Sequence, residues 1–207
     1  MRAVVPFDAA APKTRLGPLF DADERGALAH VMLEDVLDAL DGAGLEPTVL
    51  ATADVTVPAA VQVDGRPLTA AVNAVLEAAA ADAAEVLVVM ADLPLATPAT
   101  LERLVEPSAE LVIAPGRAAG TNAFVCRHPA FRVDYHGTSY LDHLAAAQAI
   151  DASVETVDSF RLATDVDEPA DLVEVLVHGA STRTGRWLAD RGVELAVTEG
   201  RVGVSRG

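Results

Sequence analysis

The run Val86-Leu87-Val88-Val89-Met90 is the most hydrophobic stretch of the chain, and it runs straight into Ala91-Asp92-Leu93-Pro94-Leu95. Five apolar residues with no polar alternation fit a strand buried on both faces, which is a central strand of a parallel sheet with helices on each side. The rest of the sequence agrees, because short β-branched runs alternate with longer stretches of helical period. The expected fold is therefore α/β, a mixed, mostly parallel sheet flanked by helices. A chain of 207 residues, 51% apolar, suits a single domain over 1–207, with 179–207 as a candidate C-terminal appendage.

Strands are expected at Arg2 to Phe7, Thr48 to Ala51, Leu111 to Ala114 and Ser153 to Val157, with a short edge strand at Val61 to Val63. Asp21 and Glu24 form a capping box before a helix whose apolar stripe runs from Leu28 to Leu40 and stops near Gly42 and Gly44. Further helices are expected after Pro67, from Thr97-Pro98 to Val105, from Ser139 to Ala149, from Ala170 to Val177 and around Trp187. A turn at Glu199-Gly200 splits a final Val193 to Val204 segment.

The 31 acidic residues against 15 basic ones give a net charge of -16, a surface that repels nucleic acid and anionic membrane. Dense carboxylates with almost no lysine read as adaptation to a cytoplasm of very high salt, where self-repulsion is screened within ~3 Å. Cys126 is alone, which excludes an internal disulfide and a thiolate metal cluster. Neither a signal segment nor a membrane span is visible, so a cytoplasmic location is expected. A homodimer is a candidate assembly state.

Lys13 is the sole lysine, set beside Arg15 in Pro12-Lys13-Thr14-Arg15-Leu16, a loop just past the first strand. Open α/β sheets bind ligands at such strand ends, and the pair suits a polyphosphate: the guanidinium forks onto two oxygens while the ammonium acts as a point charge. Two ordinary solvated cations would look the same. Asp92 ends the most buried strand, where a carboxylate needs a partner or a cation. It could cap a helix, but Thr97 is better placed before Pro98 to do so. Asp165 and Asp167 share one face of an extended segment, and with Asp92 they would supply three oxygen donors, a set suited to Mg²⁺. The D-x-D-x-P pattern also describes a capped helix start. Gly120-Thr121-Asn122 follows a glycine-bearing loop that could form an anion nest, and Tyr135 to Tyr140 is a donor-rich approach to a helix. His136 and His143 lack a third nitrogen ligand, so a zinc site is rejected.

These pieces in this order resemble the family of 2-phospho-L-lactate guanylyltransferases of coenzyme F420 biosynthesis. The matching segments are Val5-Pro6-Phe7, Pro12 to Leu16, Leu68 to Asn73, Asp92 to Leu95, Gly120 to Asn122, Ser139 to His143 and Asp165 to Pro169. The resemblance implies a nucleotidyltransferase fold of the glycosyltransferase-A kind and transfer of GMP from GTP to a phosphorylated three-carbon acid, with release of pyrophosphate. It implies Lys13, Arg15 and Asp92 as catalytic residues and Asp92, Asp165 and Asp167 as the Mg²⁺ ligands. Pro6, Asn73, Pro94, Gly120 and Asn122 would bind substrate, with Thr121 and Ser139 seating the acceptor phosphoacid. The chain departs from the family pattern at Asp8, where a lysine is usual, at Ala119, where a second glycine is frequent, and at His136, which replaces a glycine. Rival readings are a related nucleotidyltransferase for a sugar phosphate or molybdopterin-type acceptor, whose G-G-x-x-x-R-x-G loop is absent here, and a noncatalytic nucleotide-binding protein.

Overall fold

The structure, a computed structural model, describes residues 1–10 and 12–207. Ala11, in the loop that carries Lys13, lies outside them.

A seven-stranded sheet is built from β1 (Arg2–Phe7), β2 (Pro47–Ala51), β3 (Ala60–Val63), β4 (Val86–Val89), β5 (Leu111–Pro115), β6 (Thr121–Cys126) and β7 (Val154–Thr156), in the order β3-β2-β1-β4-β6-β5-β7. Strands β3, β2, β1 and β4 run parallel, and β5 is parallel to β7. Strand β6 is reversed, antiparallel to both β4 and β5. The expectation of a parallel strand over Val86 to Met90 thus needs correction on two points. Strand β4 is central but parallel only to β1, and Met90 has left it, its N–H donating to the Asn122 carbonyl at 2.9 Å.

Alternate residues along the strands enter two different cores, which is why the strands read as unbroken apolar runs. Ala3, Val5, Leu87 and Val89 pack under α1 (Ala22–Gly42) and α3 (Pro98–Val105), whereas Val4, Val86 and Val88 pack with α2 (Leu68–Ala81) and α4 (Ser139–Ala149) on the opposite face. The Asp21–Glu24 capping box forms as expected, and Thr97 caps α3, so Asp92 is released from any capping duty.

Two short helices complete the layer beside α1: α5 (Phe160–Ala163), which no sequence pattern announces, and α6 (Leu172–His178), which follows a 3-10 turn at Pro169–Asp171 instead of starting at Ala170. Helix α7 (Arg183–Asp190) is tied to α1 by the Asp35 carboxylate, which accepts the N–H groups of Arg183 and Thr184 at 2.7 and 2.9 Å and the Thr184 hydroxyl at 2.6 Å. Gly185 is obligatory there, because a Cβ would lie 2.0 Å from the Gly179 carbonyl oxygen. The hairpin of β8 (Val193–Thr198) and β9 (Arg201–Arg206) turns at Glu199-Gly200 and is clamped to the start of α1 by Arg206 and Glu24. Among the described residues no helix is long and apolar enough to cross a membrane.

Candidate active site

The parallel strands β1 to β4 end at one edge of the sheet, and the segments that leave them enclose a cleft of ≈ 730 Å³. Lys13 enters it from the loop after β1 with φ 56°, a left-handed backbone that non-glycine residues adopt only at a cost of ~1–3 kcal/mol. Its ammonium donates to Asp92 Oδ2 at 2.5 Å and to Asp167 Oδ1 at 2.7 Å. Burial opposes the charge on Lys13, but the two carboxylates outweigh it and raise its pKa above the ordinary lysine value.

Three segments distant in sequence are thereby joined, since the Val166 N–H also donates to the Asp92 carbonyl at 3.1 Å. Val166 is buried between Asp165 and Asp167, whose carboxylates go to different partners, Asn122 and Lys13. Asp167 does not cap the following turn. Glu168 is the N-cap, in a box with Asp171, which accepts the N–H groups of Asp167 and Glu168 at 2.9 and 2.8 Å, and the Asp167 carboxylate is left to Lys13. Asp165 accepts Asn122 Nδ2 at 3.0 Å, yet burial first, then the nearby Asp92 and Asp167 charges, push its pKa above the usual carboxylate range. Arg15 lies at the mouth, exposed and 3.7 to 3.9 Å from Glu168 and Asp167. Pro6 lines the same cleft.

The other expected site residues have different positions. Asn73 closes a two-point clamp on the Val133 backbone, donating to its carbonyl at 2.9 Å and accepting its N–H at 2.8 Å, which leaves its amide occupied. Pro94 is buried in the turn after β4. The loop before β6 is a closed turn and not an open anion nest: the N–H of Gly116 donates to Gly120, that of Ala119 to Gly116 and that of Arg117 to Ala163. Ala119 adopts φ 61°, so the position where the family often has a glycine keeps a glycine-like backbone here. Gly116 makes room for Asn122, whose amide oxygen would lie 2.6 Å from a Cβ there, and Asn122 bridges the Leu162 carbonyl to Asp165.

Thr121 and Ser139 are buried on the β6–α4 side, 3% and 5% exposed. Sequence reasoning missed the group that organises this side. His143 Nε2 accepts the Asp134 N–H at 2.9 Å, which forces the proton onto Nδ1, and Nδ1 donates to the Thr121 hydroxyl oxygen at 2.9 Å. Burial lowers the His143 pKa to about 4, so it stays neutral. Also missed were Asp64 and Arg66, a mutually bonded pair in the cleft wall after β3. Only its spacing from the edge strand could have drawn attention to it.

Two carboxylates at one end of the cleft, Asp92 and Asp167, meet a single ammonium, with Asp165 held nearby on Asn122, and Asp92 Oδ1 is buried with no hydrogen-bond partner among the described residues. The expected trio is not a preformed three-ligand cage, because among the described residues no three His, Cys, Asp or Glu side chains are disposed to enclose a metal. Lys13 stands between Asp92 and Asp167 instead. All-oxygen donors with an unpartnered buried carboxylate oxygen still fit Mg²⁺, which ordinarily takes one or two carboxylates and completes its shell with substrate phosphates.

The mixed α/β sheet with a charged cleft at its parallel strand ends has the fold of the nucleotidyltransferases. Solved structures of that class share the fold: a protein assigned as a nucleotide-diphospho-sugar transferase from Desulfovibrio desulfuricans G20 superposes with a TM-score of 0.75 at 17% identity, covering 92% of this chain and 96% of the other. A nucleotidyl transferase from Methanothermobacter gives 0.57 at 15% identity, covering 91% and 99%. Residues 1–206 match the family described as guanylyl transferase CofC like, and the chain belongs to that family. It is 57% identical to a 2-phospho-L-lactate guanylyltransferase of Halomicrobium mukohataei over 206 residues, covering 100% of both chains. With the protein of the same name from Haloferax volcanii it is 57% identical over 202 residues, covering 98% of this chain and 97% of the other.

Proposed function

We propose that the chain is a guanylyltransferase that moves GMP from GTP to 2-phospho-L-lactate or phosphoenolpyruvate and releases pyrophosphate, a step of coenzyme F420 biosynthesis. The observation that carries this reading is full-length identity of 57% to relatives bearing that name, together with the Lys13–Asp92–Asp167 cluster in the cleft. Asp92 Oδ1, without a partner among the described residues and beside a lysine held in a strained backbone, suits a site that takes a cation and a phosphate.

In this reaction an oxygen of the acceptor phosphate bonds to the α-phosphorus of GTP, the bond from that phosphorus to the bridging oxygen breaks, and pyrophosphate leaves with the electron pair. The acceptor's second pKa is ~6, so its phosphate is largely a dianion at neutral pH and needs no general base. The chain's task is to bring a dianion up to a triphosphate. Lys13, held by two carboxylates at the strand ends, supplies a preorganised positive charge, and a contact of that sort contributes ~10²-fold or more, while Arg15 at the mouth adds a guanidinium fork for the triphosphate. Asp92 and Asp167, with Asp165 beside them, would hold Mg²⁺, which neutralises developing charge on the phosphoryl oxygens when bound.

The test is pyrophosphate release from GTP with each phosphoacid, with and without Mg²⁺, at high salt. Release that is indifferent to the phosphoacid would sink the reading. A salt-rich cytoplasm belongs to the same proposal and rests on the net charge of -16. The melting temperature should climb from ~0.1 M to ~3 M KCl as the Debye length falls toward ~3 Å.

A further inference from the structure

The cleft has two unlike ends. One is the Lys13–Asp92–Asp167 cluster where β1 and β4 finish. The other lies past β3, where the charged side chains are Asp64 and Arg66. Strands in a sheet are spaced ~4.8 Å apart and β3 is three places from β4, so the two ends are separated by ~14 Å. That is the reach of a nucleotide from its phosphates to the far edge of its base.

The Asp64–Arg66 pair is built to hold the guanidinium still. The Asp64 N–H donates to the Ala51 carbonyl at 2.8 Å, extending the β2–β3 ladder by one residue. Its carboxylate accepts the Arg66 N–H at 3.0 Å, Nε at 2.9 and 3.1 Å, and Nη2 at 2.5 Å. Arg66 lines the cleft, and Nη1 makes no hydrogen bond among the described residues, so Nη1 and the second hydrogen of Nη2 are left available to a ligand. The Asp64 side chain is 8% exposed and that of Arg66 53%, so the carboxylate is anchored while the guanidinium stays accessible. Beside it Leu68, a large apolar residue, is left 38% exposed in the cleft wall, with Ala71 behind it.

We infer that Arg66 reads the guanine base of GTP through O6 and N7, with Asp64 as its positioning residue and Leu68 against the face of the ring. This inference rests on the guanylyltransferase reading. Two acceptors side by side on a flat edge match the free fork, which is the commonest arginine contact to guanine. Adenine would present its N6 amino group to a guanidinium that can only donate, and a pyrimidine offers no N7.

The experiment measures kcat/KM for GTP, ATP and 7-deaza-GTP, in the wild-type protein and in Arg66→Ala, with the phosphoacid saturating. Expected is a loss of roughly 10- to 100-fold on GTP in Arg66→Ala, with the GTP-to-ATP ratio falling by the same factor. The wild-type protein should disfavour 7-deaza-GTP about five- to tenfold, for one hydrogen bond of the two, and Arg66→Ala should not distinguish it from GTP. Asp64→Asn should lower the GTP-to-ATP ratio in the same direction by less. The 7-deaza-GTP comparison in wild-type protein needs no variant to fold. A uniform loss on all three nucleotides would place Arg66 on the phosphates and overturn the inference, as would an unchanged ratio. Absence of GTP turnover by the wild-type protein would instead bring down the guanylyltransferase reading itself.

Discussion

The two halves of the sheet treat their polar residues in opposite ways. Where β1, β3 and β4 end, Lys13, Asp92, Asp167 and Arg66 hold charge against the cleft, and Asp92 Oδ1 has no partner among the described residues. On the β6–α4 side, Asn73 and His143 have both ends of their polar groups bonded within the fold, and Asn122 spends both amide hydrogens on the Leu162 carbonyl and Asp165. On the proposed function, the first group would meet substrate and the second would fix the shape of the pocket. Substitutions on the first side should act on turnover, and those on the second should act on stability.

The largest effect is expected at Asp92. Asn keeps the size of the side chain but removes the charge that Lys13 and a bound cation require, so Asp92→Asn should lower turnover by ~10²-fold or more. Its thermal melt should stay close to that of the wild type. If the folded variant retains near wild-type turnover, the first side of the comparison has been misassigned.

His143 tests the second side by pH. Its folded pKa of about 4 lies below the ordinary value of 6.5, so the unfolded chain takes up the proton first as the solution is acidified. The stability it contributes is complete above 6.5 and is lost as pH falls through about 4. The amount is on the order of ~3 kcal/mol. Denaturant titrations of wild type and His143→Gln should differ most at neutral pH and converge in acid. Parallel curves across that window would show that the histidine carries no linkage. The neighbouring Asp134 and Asp142 charges pull the pKa upward, against the dominant effect of burial.

Asn73→Ala should remove about 1–3 kcal/mol of stability by leaving the Val133 N–H and carbonyl without their partner. At ~2–4 °C per kcal/mol, that is a drop of several degrees in melting temperature. A variant that melts like the wild type but loses turnover would move Asn73 to the substrate side.

What could be read from the sequence follows from the range of the interactions involved. The Asp21–Glu24 capping box, the Thr97 cap, the apolar stripe of α1 and the turn at Glu199-Gly200 are local signals, and each falls where expected. Strand direction is not local, since an apolar run such as Thr121–Cys126 looks the same whichever way it pairs, and only the connection to β5 reverses it. Helix α5 is four residues long, too short to show a period. In the site, Asp92 stood out because a charge at the end of a buried strand is costly without a partner, Lys13 as the sole lysine, set just past the first strand, and Asp167 as half of a D-x-D pair. The partners themselves were invisible, being 79 and 154 residues away. His143 and Asn73 could not be interpreted for the same reason, as their bonds join α4 to β6 and α2 to the 131–135 segment.

The smallest effect is expected within the charged half, at Arg15. The sequence pairs it with Lys13, but the structure ranks the two. The Lys13 side chain is 12% exposed and bonded to two carboxylates, whereas that of Arg15 is 68% exposed with contacts no shorter than 3.7 Å. A guanidinium at the mouth of the cleft is screened by solvent, so its contribution lies in the fork it can close on the triphosphate and not in its charge alone. Arg15→Lys keeps the charge and loses the fork. It should raise the KM for GTP by about three- to tenfold with kcat nearly unchanged, since a contact made equally in ground and transition states affects KM alone. A loss in kcat as large as that of Asp92→Asn would put Arg15 inside the reacting cluster. GTP kinetics identical to wild type would return it to the solvated surface.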